Sequence, residues 1–222
     1  MANIPPWSYS SLTKFETCPK QYHIVRVLKK VKEPPTAHTE WGNEVHSALE
    51  HRVKDGTPLP EKMQQWEPYA ARFAALPGVF AEREYAFNRN LEPVGWWDKD
   101  AWCWGIVDVG ATAKSCAILA DWKTGKPKPD SGQLQLFAAF HMTAEPEVKE
   151  VNTLFLWLAH NKATRQDYTA DQIPAIWQEY VSRSLRLESA YENDKWPARP
   201  SGRCRGWCPV GRENCDFWSP KK

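Results

Sequence analysis

Residues 103–123, CWGIVDVGATAKSCAILADWK, contain two apolar runs separated by a short polar turn. Continuous apolar runs of this length are typical of buried strands. Each run carries one acid, Asp108 in the first and Asp121 in the second, and the thirteen-residue separation suits adjacent strands of a hairpin. Because a buried carboxylate is costly unless it is paired or bound to a cation, the stretch predicts a functional site as well as a sheet.

Lys123 follows Asp121 by two positions, so both side chains project from the same face of an extended strand. Carboxylates on neighbouring strands suit Mg²⁺, which lowers the pKa of a bound water, and a nearby lysine can orient or deprotonate that water. The alternative interpretation is an internal Asp–Lys salt bridge in a sheet. Lys126 and Lys128 lie on the following turn and place positive charge where a phosphate would approach.

The rest of the chain surrounds this hairpin with helices. Helical spacing of apolar residues predicts helices in the first third, and later segments alternate between strand and helix. The order predicts an α/β (α+β) core with a mixed sheet flanked by helices. We expect one domain over residues 1–222, with three parts: a helical N-terminal part (1–76), a core (77–195) and a Cys-rich tail (196–222).

The six cysteines are unevenly distributed. Cys103 and Cys116 lie in the apolar runs, where small buried hydrophobic residues are expected. The other four are Cys18 and a C-x3-C-x6-C trio formed by Cys204, Cys208 and Cys215. Without a secretory signal such thiols are read as metal ligands, and thiolates select zinc or iron–sulfur centres. Cys18 is the natural fourth ligand for the trio.

Composition narrows the function classes. The chain has 29 Lys+Arg and 27 Asp+Glu, so its net charge does not by itself indicate nucleic-acid binding. Residues 196–222, however, carry six basic and two acidic side chains. No apolar run approaches the roughly 18 residues that span a bilayer. The N-terminal MANIPPWSYS lacks the features of a signal peptide, so a cytoplasmic location is expected, in a host cell if the chain is phage-encoded.

Five elements in order resemble the RecB-type branch of the PD-(D/E)xK nuclease superfamily. They are SYSSLTKFETCPKQY, GNEVHSALE, GIVDVG, ADWKTGK and QLQLF. The C-terminal cysteine trio is similar to that of the iron–sulfur subset, which includes AddB-like subunits and CRISPR adaptation nucleases. The chain also resembles phage exonucleases. The resemblance extends from Ser8 to Cys215.

The resemblance implies a role for each matching residue. His46, Asp108, Asp121 and the backbone carbonyl of Trp122 would ligate Mg²⁺ or Mn²⁺. Lys123 would be the catalytic lysine and Gln133 would position DNA or the lysine. Cys18, Cys204, Cys208 and Cys215 would hold a 4Fe–4S cluster, with Zn²⁺ as the alternative. DNA would be contacted by four basic residues: Lys126, Lys128, Arg203 and Arg205.

The sequence departs from the family at two places. Phe137 stands where the helix motif usually has tyrosine, and each gap of the cysteine trio is one residue longer than the common C-x2-C-x5-C. Glu82 and Glu84 alternate with apolar residues as surface positions do, and Glu84 is the further candidate acid.

The leading hypothesis is a metal-dependent DNA nuclease, with exonuclease action expected first. The expected settings are recombination, repair, and CRISPR or phage DNA processing, with a helicase, a recombinase or a CRISPR adaptation protein as partner. The alternative is a non-catalytic DNA-binding accessory subunit that retains the fold. Such relatives normally lose an acid or the lysine, whereas this chain keeps Asp108, Asp121 and Lys123.

Overall fold

The computed structural model describes residues 4–33, 35–129 and 132–220. By their internal contacts these residues divide into two compact units. We call Thr36–Gln178 the core unit, and Met1–Pro35 together with Glu179–Lys222 the terminal unit. The single domain expected from the sequence, with parts bounded at 76/77 and 195/196, stays a prediction.

A five-stranded sheet forms the centre of the core unit. Its strands are β1 (Val79–Phe87), β2 (Cys103–Ala113), β3 (Cys116–Lys123), β4 (Glu150–Trp157) and β5 (Lys162–Thr169), and they lie in chain order across the sheet. Neighbours pair antiparallel except β3 and β4, which run parallel. A parallel pair needs a crossover, and α5 (Gln133–Ala144) supplies it.

Helices pack against this sheet. Helix α3 (Ala37–Lys54), a 3₁₀ segment (Glu61–Trp66) and α4 (Glu67–Ala74) precede β1. Val45 and Leu49 of α3 are fully buried in one apolar cluster with strand residues such as Val109 and Trp122. Helix α5 is apolar around most of its circumference, as a helix buried within a core must be. The mixed sheet flanked by helices confirms the fold class predicted from the sequence.

The terminal unit is assembled from both ends of the chain. It contains α1 (Tyr9–Thr17), α2 (Pro19–Tyr22), a π-helical segment (His23–Val27) and, from Glu179 on, the rest of α6 (Ile173–Asn193). Arg183 donates two hydrogen bonds to the carboxylate of Glu16, at 2.9 and 2.8 Å. This bidentate pair joins α1 to α6, the geometry in which an Arg–carboxylate pair is strongest.

The C-terminal segment after α6 has little regular structure beyond a 3₁₀ turn, Gly202–Cys204. Backbone hydrogen bonds hold it, including Ser219 N–H to the Cys204 carbonyl at 2.9 Å. Lys221 and Lys222, counted in the basic tail, lie outside the described residues.

Two cysteine environments can be compared with the sequence expectation. Cys103 is fully buried, as expected, but Cys116 is exposed, so its predicted burial was wrong. The reason is position, because Cys116 is the first residue of β3, directly after the turn. Within the described ranges, no helix is both long and apolar enough to cross a membrane.

Candidate metal centre and cysteine site

The two strand aspartates lie where β2 and β3 separate. The last residue pair at this end of the ladder joins Val109 to Ala120, so Asp108 and Asp121 follow immediately beyond it. Both are buried, with 7% and 4% of their surface exposed. The backbone N–H of Trp122 donates to Oδ2 of Asp108 at 2.8 Å. The end of the hairpin ladder therefore places both acids at one point of the sheet.

Helix α3 brings a histidine to this point. Nδ1 of His46 lies 3.2 Å from Oδ2 of Asp108. His46 follows Val45, which is fully buried, so the imidazole stands at the edge of the apolar face of α3 and reaches the end of β2. The proximity of His46 and Asp108 places two residues of the predicted metal set in contact.

Glu82 is the residue that sequence reasoning missed. A ring nitrogen of His46 and one carboxylate oxygen each of Glu82 and Asp108 lie within 4.8 Å of one another, and all three atoms are potential metal ligands. In the β1–β2 register Ala81 pairs with Val109 and Arg83 with Val107, which leaves Glu82 opposite Asp108. The signal in the sequence was an acid in the strand that pairs with GIVDVG, but only the register shows which acid faces the site.

A backbone distortion turns Glu82 from the expected surface position. Its φ is +48°, in the left-handed region, which costs a non-glycine residue about 1–2 kcal/mol. Before it, Ala81 packs in the cluster that contains α3. After it, Tyr85 and Phe87 contact the ring of Phe140 in α5. Side-chain alternation along β1 therefore reverses at Glu82, and a simple period of two misplaces this residue.

Asp121, Lys123 and Gln133 form a second polar group beside the first. Nζ of Lys123 lies 2.6 Å from Oδ2 of Asp121 and donates to Oε1 of Gln133 at 3.2 Å. Nε2 of Gln133 donates to Oδ1 of Asp121 at 2.9 Å. Gln133 is the first residue of α5, so the crossover helix begins at the site. The three side chains fix the lysine ammonium over the carboxylate.

Two acids of this group, Asp121 and Glu82, have raised pKa values. Burial and the charge of Asp108 raise the pKa of Asp121 to about 7, against the opposing charge of Lys123. Burial and the charge of Asp108 likewise raise the pKa of Glu82 to about 7. Burial lowers the pKa of His46, but the hydrogen bond to Asp108 and the surrounding acids outweigh it and raise the pKa to about 9. Carboxylates crowded in this way favour a bound cation.

A cavity of about 660 Å³ opens at these groups, within the size range of ligand pockets. Its lining includes His46, Glu82, Asp108, Ile106 of β2 and Thr124, which directly follows Lys123. The side chain of Trp122 is buried in the core cluster. Its backbone carbonyl as a metal ligand stays a prediction.

The four cysteines of the predicted cluster line one cavity in the terminal unit. The backbone N–H of Arg199 donates to Sγ of Cys18 at 3.4 Å, and that of Ser201 to Sγ of Cys204 at 3.5 Å. Burial raises the pKa of Cys208, and the nearby thiol charges of Cys18, Cys204 and Cys215 raise it further. The structure thus brings together thiols that are separated by 186 residues of sequence.

Comparison with known proteins supports the fold. The family model of the PD-(D/E)XK nuclease superfamily matches residues 6–103. A crystal structure from Eubacterium rectale, of a protein provisionally named an exonuclease, aligns with a TM-score of 0.57 at 12% identity, over 98% of this chain and 91% of that one. The crystal structure of SSO0001 aligns with a TM-score of 0.50 at 14% identity, over 95% and 86%. Among curated proteins, none matches significantly.

The chain shares its fold with these two structures, and its mixed five-stranded sheet flanked by helices is consistent with the PD-(D/E)XK fold. Asp121, Trp122 and Lys123 spell D-x-K in the sequence, and Asp108 follows Val107. These residues lie outside the matched range, so their correspondence to the family motif stays a prediction. The matched range contains His46 and Glu82 and ends at the start of β2.

The four predicted DNA-binding residues lie in two places. Lys126 and Lys128 are exposed on the loop that follows β3, in the same unit as the acids. Arg203 and Arg205 are exposed on either side of Cys204, in the terminal unit. Both places offer accessible positive charge, as phosphate contacts require.

Proposed function

We propose that this protein is a divalent-metal-dependent deoxyribonuclease that hydrolyses phosphodiester bonds. The observation that carries the proposal is the donor set of His46, Glu82 and Asp108 beside the Asp121–Lys123 pair. Structural ion pairs in a sheet need one acid for each base. Here three buried or half-buried carboxylates share one lysine and one histidine, an excess that suits a metal dication.

The donor chemistry fits Mg²⁺ or Mn²⁺. Carboxylate oxygens are the ligands that these hard cations prefer, and imidazole is also a common ligand of first-row metals. Asp121 offers a further oxygen, since its buried Oδ2 accepts no hydrogen bond from the described residues despite the ion pair. We therefore assign metal binding to His46, Glu82, Asp108 and Asp121.

The remaining groups have distinct roles in this proposal. A bound metal ion would act as a Lewis acid on the phosphate and lower the pKa of an attacking water. Lys123, held by Asp121 and Gln133, presents a fixed ammonium at the edge of the site. There it stabilises the negative charge that develops on the phosphate and orients the water. Gln133 acts through Lys123 and Asp121, so it is a positioning residue.

We further propose that Cys18, Cys204, Cys208 and Cys215 hold a 4Fe–4S cluster with a structural role. Four thiolates around Zn²⁺, at Zn–S distances of about 2.3 Å, place sulfurs roughly 3.8 Å apart. No three sulfurs of this set, all within the described chain, lie within 4.8 Å of one another. Because thiolates also ligate iron–sulfur clusters, we propose a 4Fe–4S cluster here in place of a four-thiolate zinc ion.

The free volume between the thiols gives a different indication. The cavity measures about 20 Å³, which is room for one ion or water. Both the spacing of the sulfurs and the volume between them depend on the rotamers of the same thiols. Zn²⁺ therefore remains the alternative ligand of the thiols, and metal analysis distinguishes it from a 4Fe–4S cluster.

We propose exonuclease action in recombination, repair, or CRISPR or phage DNA processing, in the cytoplasm. A helicase, a recombinase or a CRISPR adaptation protein is the class of partner. The provisional name of the Eubacterium rectale protein supports the exonuclease assignment. A non-catalytic accessory role has less support, because every expected acid and the lysine are present at the site.

The decisive experiment compares cleavage of end-labelled linear DNA and circular DNA with Mg²⁺, with Mn²⁺ and with a chelator. Cleavage should require the metal, and a preference for linear DNA would establish exonuclease action. Asp121→Ala and Lys123→Ala should lose cleavage while keeping DNA affinity, and the exposed acid variant Glu84→Gln serves as the matched control. Cleavage by Asp121→Ala at the wild-type rate would refute the assigned centre.

A further inference from the structure

Three tryptophans form a group at the start of β2 that the metal centre does not use. Trp96 stacks on Trp104 with ring centroids 4.9 Å apart and an interplanar angle of 16°. Trp97 meets the edge of Trp104 at 6.5 Å and 79°. Trp97 is 87% exposed, the largest exposed fraction among the large apolar side chains described. A tryptophan so open to water exposes a large apolar area that a ligand could cover.

The group lies on the sheet face that leads to the metal centre. A side chain at Gly105 would meet Phe140 of α5, so residues 104 and 106 project to the opposite face. Ile106 lines the cavity that His46, Glu82 and Asp108 also line. Trp104 precedes Asp108 by four residues, which is about 13 Å along a strand. The tryptophans and the acids therefore occupy one continuous surface.

The loop that carries Trp96 and Trp97 is held at both ends. Val94 N–H donates to the Ala86 carbonyl at 2.9 Å, and Trp102 N–H donates to the Phe87 carbonyl at 2.7 Å. A further backbone hydrogen bond joins Asp98 to Gly95 at 2.9 Å. A pre-ordered loop presents Trp97 without the entropic cost of fixing a mobile one.

Charge shows what kind of contact this surface can make. Residues 88–102 contain two basic and three acidic side chains, so the loop does not attract phosphate groups. Glu50 and Glu82 line the adjoining cavity and add negative charge. A nucleic acid that touches this loop is therefore held through its bases. Bases stack on aromatic rings only when they are unpaired, as in a single strand or a frayed end.

We propose that Trp97, supported by the Trp96–Trp104 stack, is a stacking platform for unpaired bases on the surface that leads to the metal centre. The inference rests on the proposed nuclease function and names its substrate class as DNA with a single-stranded end. The platform holds bases while the basic residues elsewhere hold phosphates. Because stacking involves no counterion release, its contribution to affinity is independent of salt.

The test measures binding of a labelled single-stranded oligodeoxynucleotide, and of the blunt duplex of the same sequence, in EDTA. Stacking of one base is worth about 1–3 kcal/mol, so Trp97→Ala should weaken single-strand binding on the order of tenfold. The loss should be equal at low and high salt, and smaller for the duplex. Trp97→Phe should restore most of it. Leu185→Ala removes an apolar side chain that is 55% exposed on α6 and should change nothing.

Single-strand affinity unchanged in Trp97→Ala would overturn the platform, even if the wild type cleaves DNA with Mg²⁺. Equal losses for single strand and blunt duplex would also overturn it. A third contrary result is a wild-type protein that self-associates and a Trp97→Ala variant that does not, with equal DNA binding by both. The tryptophans would then form a protein interface. If the wild type binds single strands through Trp97 but cleaves nothing with Mg²⁺ or Mn²⁺, the platform stands and the nuclease proposal fails.

Discussion

Oδ2 of Asp108 is shared by two donors, the imidazole of His46 at 3.2 Å and the backbone N–H of Trp122 at 2.8 Å. The first comes from helix α3 and the second from strand β3, so one carboxylate oxygen ties three segments of the core unit together. Trp122 lies between Asp121 and Lys123 in the chain. The contact therefore sets the position of Asp121, Trp122 and Lys123 relative to His46.

Glu82→Gln should weaken Mn²⁺ binding, because the amide removes a negative charge from the donor set. We expect a loss of about tenfold or more in affinity, measured by titration calorimetry on protein freed of metal. Glu84→Gln is the matched control, since Glu84 is exposed on the same strand. Equal Mn²⁺ affinity in the two variants would remove Glu82 from the metal site.

Gln133→Ala should lower kcat and leave DNA affinity nearly unchanged, because Gln133 holds the Lys123 ammonium and the Asp121 carboxylate. We expect a loss of about tenfold to a hundredfold, measured in single-turnover cleavage. Gln135→Ala, two residues later on α5, is the control. A rise in KM with unchanged kcat would mean that Gln133 contacts DNA instead.

Cys18→Ser should abolish the absorbance of an iron–sulfur cluster and lower the Tm of anaerobically purified protein. The physical reason is that cluster ligation couples to folding of the terminal unit. Cys116→Ser, at an exposed cysteine of the core unit that is not among the four predicted ligands, should keep both properties. Measurement of the iron and zinc content of the protein distinguishes an iron–sulfur cluster from a single zinc ion. A metal-free protein in which Cys18→Ser and Cys208→Ser melt like the wild type would exclude both metals.

His141 predicts how stability changes in acid. It is fully buried, with Tyr85 Oη 2.7 Å from Nδ1 and Thr112 Oγ1 3.0 Å from Nε2. Burial lowers the pKa of His141 to about 4, against the charge of Glu145; Arg83 lowers it further and Glu147 opposes.

In the unfolded chain His141 therefore binds a proton as pH falls through about 6.5. In the folded protein it binds a proton only as pH falls through about 4. Stability from this group is fully present above pH 6.5 and declines between those values. Thermal melts of His141→Gln should show a flatter pH dependence over this window than the wild type. His160→Gln changes an exposed histidine and should keep the wild-type slope. Parallel curves for all three proteins would contradict the assignment.

The sheet and the D-x-K pair could be predicted because they depend on local pattern. Apolar runs bounded by a turn identify β2 and β3, and a spacing of two puts Asp121 and Lys123 on one face. Glu82 could not be predicted, since its role depends on the register with β2 and on a positive φ that reverses alternation. Trp97 could not either, because the sequence shows a tryptophan but not whether tertiary packing covers it.

The terminal unit has a consequence for the order of biosynthesis. Cys18 leaves the ribosome 186 residues before Cys204, which takes roughly 10–40 s at about 5–20 residues per second. The whole core unit, which is continuous in sequence, is translated within that interval. The acidic centre can therefore assemble on the nascent chain before the other three cysteines of the four-thiol cavity have been synthesised. If the proposed cluster is present, its insertion is the last step of maturation, and it depends on how long the Cys18 thiol stays reduced.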